Sequence, residues 1–346
     1  MSKTILITGG AGFIGSNFAR HLYQTDPDYK IIVLDALTYA GHVGNLPVNL
    51  NGNNHDERFA FWYGNVRNGE LVDTLVSQSD IIVHFAAETH VTRSIYDNFL
   101  FFETDVLGTQ TVANAVLKYR ERVERFIHIS TSEVYGTARQ DTMDEDHPLI
   151  PMSPYAAAKT GADRLVSSYW ATYQIPAIII RPFNNYGPYQ HLEKAVPRFI
   201  TSCLLNEPLR VHGDGSASRD YIFVEDTCKA IDLIMNADID TVKGEVFNVA
   251  SGGHRSILSI AQDVVRLMNK DESLITFVGE RPGQVFRHTG DRTKIKHVLG
   301  WEPTISWEEG LRKTVEWYTA HQTWWERQLW MRAVPIITTS GKKELH

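Results

Sequence analysis

Short apolar runs alternate along the first half of the chain with longer stretches of helical periodicity. Five such runs stand out: KTILITG, KIIVLDA, DIIVHFAAE, RFIHIS and AIIIRPF. Each is apolar at consecutive positions, which is typical of a strand buried on both faces of a parallel sheet. Between the runs, apolar residues recur at three- and four-residue spacings, which predicts helices that flank the sheet. The pattern therefore predicts an α/β fold with a Rossmann-type, doubly wound parallel sheet.

The second half of the chain has a different texture, with loops rich in Gly, Pro and Asn between shorter elements. Examples are NNYGPYQ, HGDGSASRD and ASGGH. We expect residues 1–185 to form the Rossmann-type domain and residues 186–346 to form mainly a smaller, interleaved lobe, with later segments returning to the sheet. In the Trp-rich C-terminal stretch, we expect Trp324, Trp325 and Trp330 to pack a terminal helix onto the body.

Composition and charge argue against several classes of protein. The chain has 346 residues, of which 43% are hydrophobic and 22% charged, and its net charge of -7 provides no basic field to hold a nucleic acid. No apolar run is long enough to cross a bilayer, and the sequence opens on a strand pattern instead of a leader. Cys203 and Cys228 are the only cysteines, and the His spacings do not suit a metal site. We therefore expect a cytoplasmic protein without metal, membrane or nucleic-acid partners.

A glycine-rich segment between the first strand and the first helix, ILITGGAGFIGSNFARHL, has the spacing of a dinucleotide site. Gly9, Gly12 and Gly15 would close the turn, bring the backbone against a pyrophosphate and seat the helix, whose N-terminus faces the phosphates. Asp35 ends the next strand, twenty residues beyond Gly15. A carboxylate there can bind the ribose diol of adenosine and would repel a 2′-phosphate. The predicted cofactor is therefore NAD and not NADP. We expect residues 1–185 to be the NAD-binding domain and residues 186–346 to be mainly the substrate-binding lobe.

Further positions are predicted to line the same cofactor groove. Asn65, in the loop GNVRN, would hold the adenine edge, and the small residues of FAAETH would admit the dinucleotide. The other cofactor-binding candidates are Phe13, Ile14, Leu37, Thr38, Val66, Phe85, Ala86, Ala87 and Thr104.

Tyr155 and Lys159 form a Y-x-x-x-K pair whose spacing places both side chains on one face of a helix. A phenol ionises at about pH 10, but an adjacent ammonium and a positive nicotinamide would both stabilise the phenolate. Tyr155 is therefore predicted to act as a base. Alone, the pair arises by chance in many helices, but here it follows nucleotide-binding strands and is preceded by Thr131 at a strand end.

These motifs resemble those of the extended short-chain dehydrogenase/reductase family, and within it the nucleotide-sugar 4,6-dehydratases. The similarity extends to about residue 319 and includes the blocks DALTYAG, HFAAETHVTRSI, FFETDVLGT, NNYGPYQHLEKAVP, GDGSASRDYIFVED and RPGQVFRH. The resemblance implies that Thr131 and Tyr155 hold the sugar O4, and that Lys159 holds the nicotinamide ribose. It also implies that Glu133 acts at C5. The residues that it implies for binding the nucleotide sugar are Thr89, Thr131, Asn184, Lys194, Arg219, Asn248 and Arg287.

The reaction that the resemblance implies depends on the triplet Thr131-Ser132-Glu133. Tyr155 would take the O4 proton while NAD accepts hydride from C4, and the resulting ketone would acidify the C5 proton for removal by Glu133. Water would then leave from C6, and the hydride would return there. In the dTDP-glucose 4,6-dehydratases an Asp stands at the position of Ser132 and protonates the departing hydroxyl. A serine hydroxyl is far too weak an acid for that step.

The serine leaves two routes open. Glu133 could pass the C5 proton to O6, with Ser132 orienting it or relaying through water, and GDP-mannose 4,6-dehydratases resemble this chain in carrying Ser there. Alternatively, the 4-keto intermediate could lose carbon dioxide, as in the UDP-glucuronate decarboxylases, which resemble it at the whole triplet. A decarboxylase would need a cation for the substrate carboxylate, and Arg181 and Arg219 are candidates. We expect the dehydratase; the alternatives are the decarboxylase, then a 4-epimerase, and a catalytically silent NAD-binding regulator.

The helix at about residues 109–120 and the Tyr155 helix resemble the pair by which family members form a four-helix dimer interface. Their apolar positions Val112, Val116 and Leu165 would face a second copy or, equally, the sheet. We expect a homodimer. The sequence leaves the nucleotide and the hexose open.

Overall fold

The computed structural model describes residues 2–50, 56–280, 283 and 285–332, together with the backbone of two short strands between residues 335 and 345. Its strands are β1 Thr4–Thr8, β2 Lys30–Asp35, β3 Phe59–Tyr63, β4 Ile81–His84, β5 Arg125–Ile129, β6 Ala177–Pro182, β7 Asn184–Tyr186, β8 Leu209–His212, β9 Ser218–Arg219, β10 Tyr221–Phe223, β11 Val246–Val249, β12 Arg255–Ser256, β13 Ile275–Val278, β14 Pro335–Ile337 and β15 Lys343–Leu345.

The α-helices are α1 Phe13–Thr25, α2 Gly69–Val76, α3 Val91–Tyr96, α4 Phe99–Phe101, α5 Thr109–Lys118, α6 Pro154–Tyr173, α7 Ala195–Leu205, α8 Val224–Asn236, α9 Ile239–Val242, α10 Ile257–Leu267, α11 Thr293–Leu299, α12 Trp307–Ala320 and α13 Gln322–Trp325. A π-helix covers Phe102–Gly108, and 3-10 helices cover Val43–Asn45, Ser132–Tyr135, Glu272–Leu274 and Glu326–Met331.

Seven parallel strands form the central sheet in the order β11-β6-β5-β4-β1-β2-β3. The chain starts in the middle of the sheet, builds outward to β3, and then crosses over to β4 and builds outward in the other direction. Thr8 at the end of β1 pairs with Leu34 of β2 on one side and with His84 of β4 on the other. This confirms the predicted Rossmann-type sheet, and it places a switch point, where such folds bind ligands, between β1 and β4.

Apolar layers cover both faces of the sheet, as continuous apolar strands require. On one face, α1 and α8 pack together and contribute Phe18 and Ile231 to the core. On the other face, α2 contributes Val72, α5 contributes Val112 and Val116, and α6 contributes Val166, all of which are fully buried. Of the two orientations left open for Val112 and Val116, the structure therefore shows the one facing the sheet.

The second half of the chain both joins this sheet and builds a core of its own. β11 extends the sheet beside β6, with Val246 paired to Ile179. Elements α7, α10 and α12 surround a separate apolar cluster that includes Phe199, Val264 and Leu311. The two halves of the chain are thus interwoven, because β11 is a strand of the central sheet, whereas the elements before and after β11 in the sequence are not strands of that sheet.

Two tryptophans of the C-terminal stretch pack into that second cluster. The indole N–H of Trp324 donates to Asn45 Oδ1, and that of Trp325 donates to the Tyr318 carbonyl, both at 2.8 Å. The prediction that Trp330 also packs there is wrong, because its side chain is 78% exposed. It lies beyond the buried pair, in a 3-10 segment without buried residues. The chain after residue 332 lies outside the residues whose side chains the structure describes.

None of the described helices is long and apolar enough to cross a membrane. Cys203 and Cys228 are both buried and free. Over the same residues, no group of three or more His, Cys, Asp or Glu side chains is placed to hold a metal ion.

Candidate active site

A cavity of about 440 Å³ lies at the carboxyl ends of the central strands, at the switch point between β1 and β4. It brings together all but three of the predicted site residues. Those in its wall are Gly9, Gly12, Phe13, Ile14, Gly15, Asp35, Thr38, Asn65, Val66, Phe85, Ala86, Ala87, Thr89, Thr104, Thr131, Ser132, Glu133, Tyr155, Lys159, Asn184, Lys194 and Arg219.

The three exceptions are Leu37, Asn248 and Arg287. Leu37 packs against the core of the sheet and contributes its N–H to Asp35. Asn248 is fully buried, donates to the Met143 carbonyl and accepts from Tyr135 Oη, so its side chain is used up within the protein. The guanidinium of Arg287 donates to two loop carbonyls, at residues 140 and 141. Asn248 and Arg287 thus bond to other parts of the chain and do not line the cavity, and their role in binding the nucleotide stays a prediction.

The glycine-rich turn forms a cradle that side chains would fill. Gly9 has φ +69°, and a Cβ there would lie 2.6 Å from the Ala86 nitrogen. A Cβ on Gly15 would lie 2.4 Å from the Gly9 oxygen. Gly12 caps the N-terminus of α1, whose first N–H groups face the cavity. This close backbone packing at a helix N-terminus fits the pyrophosphate of a dinucleotide.

Asp35 is held beside that cradle by backbone donors. Its Oδ2 accepts the Ala11 N–H at 2.9 Å, and its Oδ1 accepts the Leu37 N–H at 2.8 Å. Burial raises the pKa of Asp35 above its ordinary value, although the backbone N–H groups oppose this shift. Each carboxylate oxygen keeps a further lone pair, so the side chain can still accept the two hydroxyls of a ribose. Cradle and carboxylate together fit NAD.

Tyr155 and Lys159 lie one turn apart at the start of α6. Ser153 caps this helix through its Oγ, which accepts the Ala156 N–H at 3.1 Å, and Pro154 occupies the first turn. Both functional side chains are buried, and Lys159 Nζ donates to the Ile129 carbonyl at 2.8 Å. Burial lowers the pKa of Lys159, while the carboxyls of Asp105 and Asp163 act to raise it.

The phenol of Tyr155 differs from the expectation. Burial raises its pKa well above the ordinary value, and the hydrogen bond with Thr131 is the interaction that opposes the shift. The Lys159 ammonium is directed at the Ile129 carbonyl, at the end of β5. Within the protein alone, burial therefore favours the neutral phenol over the phenolate.

The triplet after β5 forms a short 3-10 helix at the cavity wall. Thr131 caps it, with its Oγ1 accepting the Glu133 N–H at 3.2 Å. Ser132 is 2% exposed. The Glu133 carboxylate oxygen Oε1 lies 4.0 Å from Arg219 Nε and 4.0 Å from His288 Nδ1. A carboxylate and a cation of the cavity wall thus lie close to a buried imidazole.

A buried ion pair lies next to this triplet and stabilises the end of β5. Ser130 Oγ donates to Asp163 Oδ2 at 2.7 Å, and Arg181 binds both oxygens of the same carboxylate at 2.9 and 3.0 Å. Arg181 is 1% exposed and lies outside the cavity wall. The sequence makes Arg181 a candidate for binding a substrate carboxylate. In the structure, Arg181 instead binds Asp163 and so fixes the end of β5.

A second polar cluster in the cavity was missed from the sequence. The Glu193 carboxylate accepts from Tyr39 Oη at 3.1 Å, pairs with Lys194 at 3.1 Å, and lies 3.3 Å from His90 Nε2. Burial acts to raise the pKa of Glu193, but Lys194, His90 and His191 together hold it below its ordinary value. Only Lys194 and Thr89 were predicted here. The run HLEK contained the signal, but its partners Tyr39 and His90 are distant in sequence.

The sequence profile of the family described as GDP-mannose 4,6 dehydratase matches residues 6–314 of this chain. The chain belongs to this family. This match confirms the resemblance to nucleotide-sugar 4,6-dehydratases of the extended short-chain dehydrogenase/reductase type. Individual relatives and solved structures support the same resemblance.

The low-salt glycan biosynthesis protein Agl12 of Haloferax volcanii is 46% identical over 91% of this chain and 98% of its own length. A dTDP-glucose 4,6-dehydratase of Streptomyces niveus is 40% identical over 93% of this chain and 94% of its own length. Among solved structures, DesIV, a dTDP-glucose 4,6-dehydratase of Streptomyces venezuelae crystallised with NAD, superposes with a TM-score of 0.88. It is 39% identical, and the match covers 94% of this chain and 99% of that one.

Proposed function

We propose that this family member is an NAD-dependent nucleotide-sugar 4,6-dehydratase, a hydro-lyase that makes a 4-keto-6-deoxy sugar nucleotide. The observation that carries the proposal is that Tyr155, Lys159 and Glu133 meet in one cavity with the glycine cradle. Oxidation of the alcohol at C4 needs Tyr155 and Lys159, and removal of the C5 proton needs a base such as Glu133. The likeness to dTDP-glucose 4,6-dehydratases supports the same reaction class.

Some residues of the cavity would bind the cofactor, and others would bind the sugar nucleotide. When bound in the glycine cradle with its ribose at Asp35, NAD supplies the hydride acceptor for C4 and the hydride donor for C6. Lys159 gives one N–H to Ile129 and keeps two donors for the nicotinamide ribose. Lys194 and Arg219 lie in the wall on the sugar-nucleotide side and would bind the diphosphate.

Proton transfer is assigned to three side chains. Thr131 and Tyr155 hold the sugar O4, and Tyr155 accepts its proton. Since burial raises the pKa of this phenol, proton transfer depends on the Thr131 hydrogen bond and on nearby positive charge. Glu133 removes the C5 proton after C4 becomes a ketone, and Arg219, 4.0 Å away, favours the ionised carboxylate that this step requires.

The competing activities have less support. A decarboxylase needs a cation for the substrate carboxylate, and Arg181 is already bound to Asp163, which leaves Arg219. A 4-epimerase has no use for a base at C5, yet Glu133 lies in the cavity. A silent NAD-binding regulator would have no need for the pair Tyr155 and Lys159, and both are present and buried.

The test is to incubate the purified protein, without added cofactor, with UDP-, dTDP-, GDP- and CDP-hexoses and with UDP-glucuronate, and to weigh the products by mass spectrometry. We expect one hexose to lose one water molecule. Loss of carbon dioxide from UDP-glucuronate would favour the decarboxylase, and an isomer of unchanged mass the epimerase. No turnover of any sugar would favour the silent regulator.

We also propose that the protein is a homodimer built on α6 and the π-helix beside it. Of the three apolar positions for which a second copy and the sheet are both open, Val112 and Val116 face the sheet, and the partly buried Leu165 packs against the same apolar cluster. The π-helix instead exposes Phe102 and Leu107, which are 43% and 51% accessible, and it packs beside α6. Exposed apolar side chains on a helix that packs beside α6 suit a two-fold, four-helix contact with a second copy. The free, buried cysteines support a cytoplasmic location.

Substitution tests the interface. Leu107→Glu would place a charge in that contact, and we expect light scattering to show a monomer. Phe277→Glu is the matched control, because Phe277 is 57% exposed on β13, in the other half of the molecule. A wild-type protein with monomeric mass would contradict the dimer.

A further inference from the structure

His288 is a fully buried histidine next to the active site that the mechanism has not yet used. Its ring Nε2 lies 2.6 Å from the Gly136 carbonyl oxygen. Its Nδ1 is buried, has no hydrogen-bond partner among the described residues, and lies 4.0 Å from Glu133 Oε1. A buried polar atom without a partner costs free energy, so its placement calls for a physical reason.

The hydrogen bond to Gly136 fixes the tautomer of the ring. A carbonyl oxygen only accepts, so Nε2 must carry the hydrogen and Nδ1 must present its lone pair. Burial lowers the pKa of His288 to about 4, so the imidazole stays neutral at physiological pH. The atom that faces the Glu133 carboxyl is therefore an acceptor.

Arg219 approaches the same carboxyl oxygen from a neighbouring segment. The backbone N–H of His288 donates to the Ser218 carbonyl at 3.1 Å, and this bond joins His288 to β9, the strand that carries Arg219. The Arg219 Nε lies 4.0 Å from Glu133 Oε1. The guanidinium attracts the ionised carboxylate, whereas a lone pair attracts only a carboxyl that has gained a proton. Arg219 is thus a partner for the ionised form of Glu133, and His288 is a partner for its protonated form.

We infer that His288 is a positioning residue that accepts a hydrogen bond from protonated Glu133, and so lets Glu133 carry the proton from C5 to the departing C6 oxygen. This inference rests on the proposed 4,6-dehydratase function. It explains how elimination proceeds with Ser132, whose hydroxyl cannot donate the proton.

The elimination balances with Glu133 alone as the proton carrier. The C5–H proton moves to the Glu133 carboxylate, and the electron pair of that bond becomes the second bond between C5 and C6. The C6–O bond breaks, and the leaving oxygen takes the proton from Glu133 to form water. Glu133 returns to its ionised form, next to Arg219. Between the two transfers, the hydrogen bond to Nδ1 holds the protonated carboxyl in place and makes the carboxylate a stronger base.

Two substitutions at His288 separate this role from a structural one. His288→Gln keeps a donor for the Gly136 carbonyl but removes the acceptor that faces Glu133. His288→Asn can place its amide oxygen near the position of Nδ1 but loses the bond to Gly136. A purely structural histidine would make Gln the milder change in both stability and turnover. Our inference makes Gln the more harmful change for turnover.

The measurement is the pH profile of kcat for water loss, together with the melting temperature and the NAD content of each variant. In His288→Gln we expect kcat to fall by roughly tenfold or more, with its acid limb moved to lower pH, because the carboxylate has lost the partner of its protonated form. His288→Asn should restore part of both. Charged or titratable groups near His288 and Glu133 include Arg219, His147 and Tyr155, and none of these is changed by the substitutions at His288.

His147→Gln is the matched control, because His147 is buried in the same region but has both ring nitrogens bonded to the backbone. It should leave the acid limb in place. If His288→Gln keeps the wild-type limb and turnover while His288→Asn is the weaker enzyme, the inference is wrong although the protein remains a dehydratase. If the wild-type protein releases no water from any sugar, the proposed function itself fails, and this inference fails with it.

Discussion

Tyr155 is the residue on which proton removal at O4 depends. We expect Tyr155→Phe to lower kcat by roughly 100- to 10,000-fold while the protein keeps its fold and its NAD, because only the phenolic oxygen is lost. Tyr169→Phe is the matched control. Tyr169 lies on the same helix α6, and its Oη donates to Asn114 Oδ1 at 2.6 Å, away from the cavity. Equal kcat values in the two variants would contradict the assignment of Tyr155.

At the level of single residues, the sequence predicted those site residues whose positions relative to one another depend on a short stretch of chain. Gly9 and Gly15 shape one turn, and Tyr155 and Lys159 share one helical face, so spacing alone locates them. The partners of Asn248 were not predicted, because they are more than 100 residues away, in the segment around Tyr135 and Met143. Long-range pairs of this kind depend on how β11 joins the sheet, which spacing along the chain does not reveal.

Among the elements, α6 determines the orientation of the catalytic pair. Ser153→Ala removes the cap of this helix and should lower the free energy of unfolding by about 1 kcal/mol. It should also lower kcat, because Tyr155 lies in the first turn beside that cap. Chemical denaturation and steady-state kinetics measure the two effects separately.

Ser256→Ala provides the comparison. Ser256 caps α10, where its Oγ accepts the Ser259 N–H at 3.0 Å, and it is not part of the cavity wall. The stability loss should be similar and kcat unchanged. A similar fall in kcat for both variants would show that general loosening of the fold, and not the orientation of Tyr155, affects catalysis.

The elements of the sheet were predictable because each strand is a continuous apolar run between turn residues. The helix expected at about residues 109–120 is present as α5, Thr109–Lys118, but it continues a π-helix over Phe102–Gly108 that the sequence did not suggest. Periodicity distinguishes helix from strand, but it does not distinguish 3.6 residues per turn from a locally wider turn. That wider segment carries the exposed Leu107 and the buried Asp105.

For the molecule as a whole, buried imidazoles make stability depend on pH. His128 is fully buried, and burial lowers its pKa well below the ordinary value, with Lys159 and His84 acting in the same direction. Burial also lowers the pKa of His84 to about 3. Below about pH 6.5 the unfolded chain binds protons that the folded chain does not, so stability falls as the pH falls.

His128→Leu tests this dependence. Neither ring nitrogen of His128 has a hydrogen-bond partner among the described residues, so the substitution removes no such bond. Below about pH 6.5, the slope of unfolding free energy against pH should decrease by about 1.4 kcal/mol per pH unit. Calorimetry between pH 5 and pH 8 measures the slope, and His297→Leu, at an exposed position, is the control. An unchanged slope in His128→Leu would mean that this imidazole titrates alike in both states.

The place of β11 at the edge of the sheet has a consequence during synthesis. A ribosome must extend the chain past Val249 before β6 obtains its outer neighbour. Until then, the hydrogen-bonding groups of β6 remain open to pairing with other chains. A fragment that ends at residue 185 would keep that open edge permanently, so we expect it to aggregate. A gene split for two-hybrid or complementation work would therefore do better to retain Val246–Val249 with the first part.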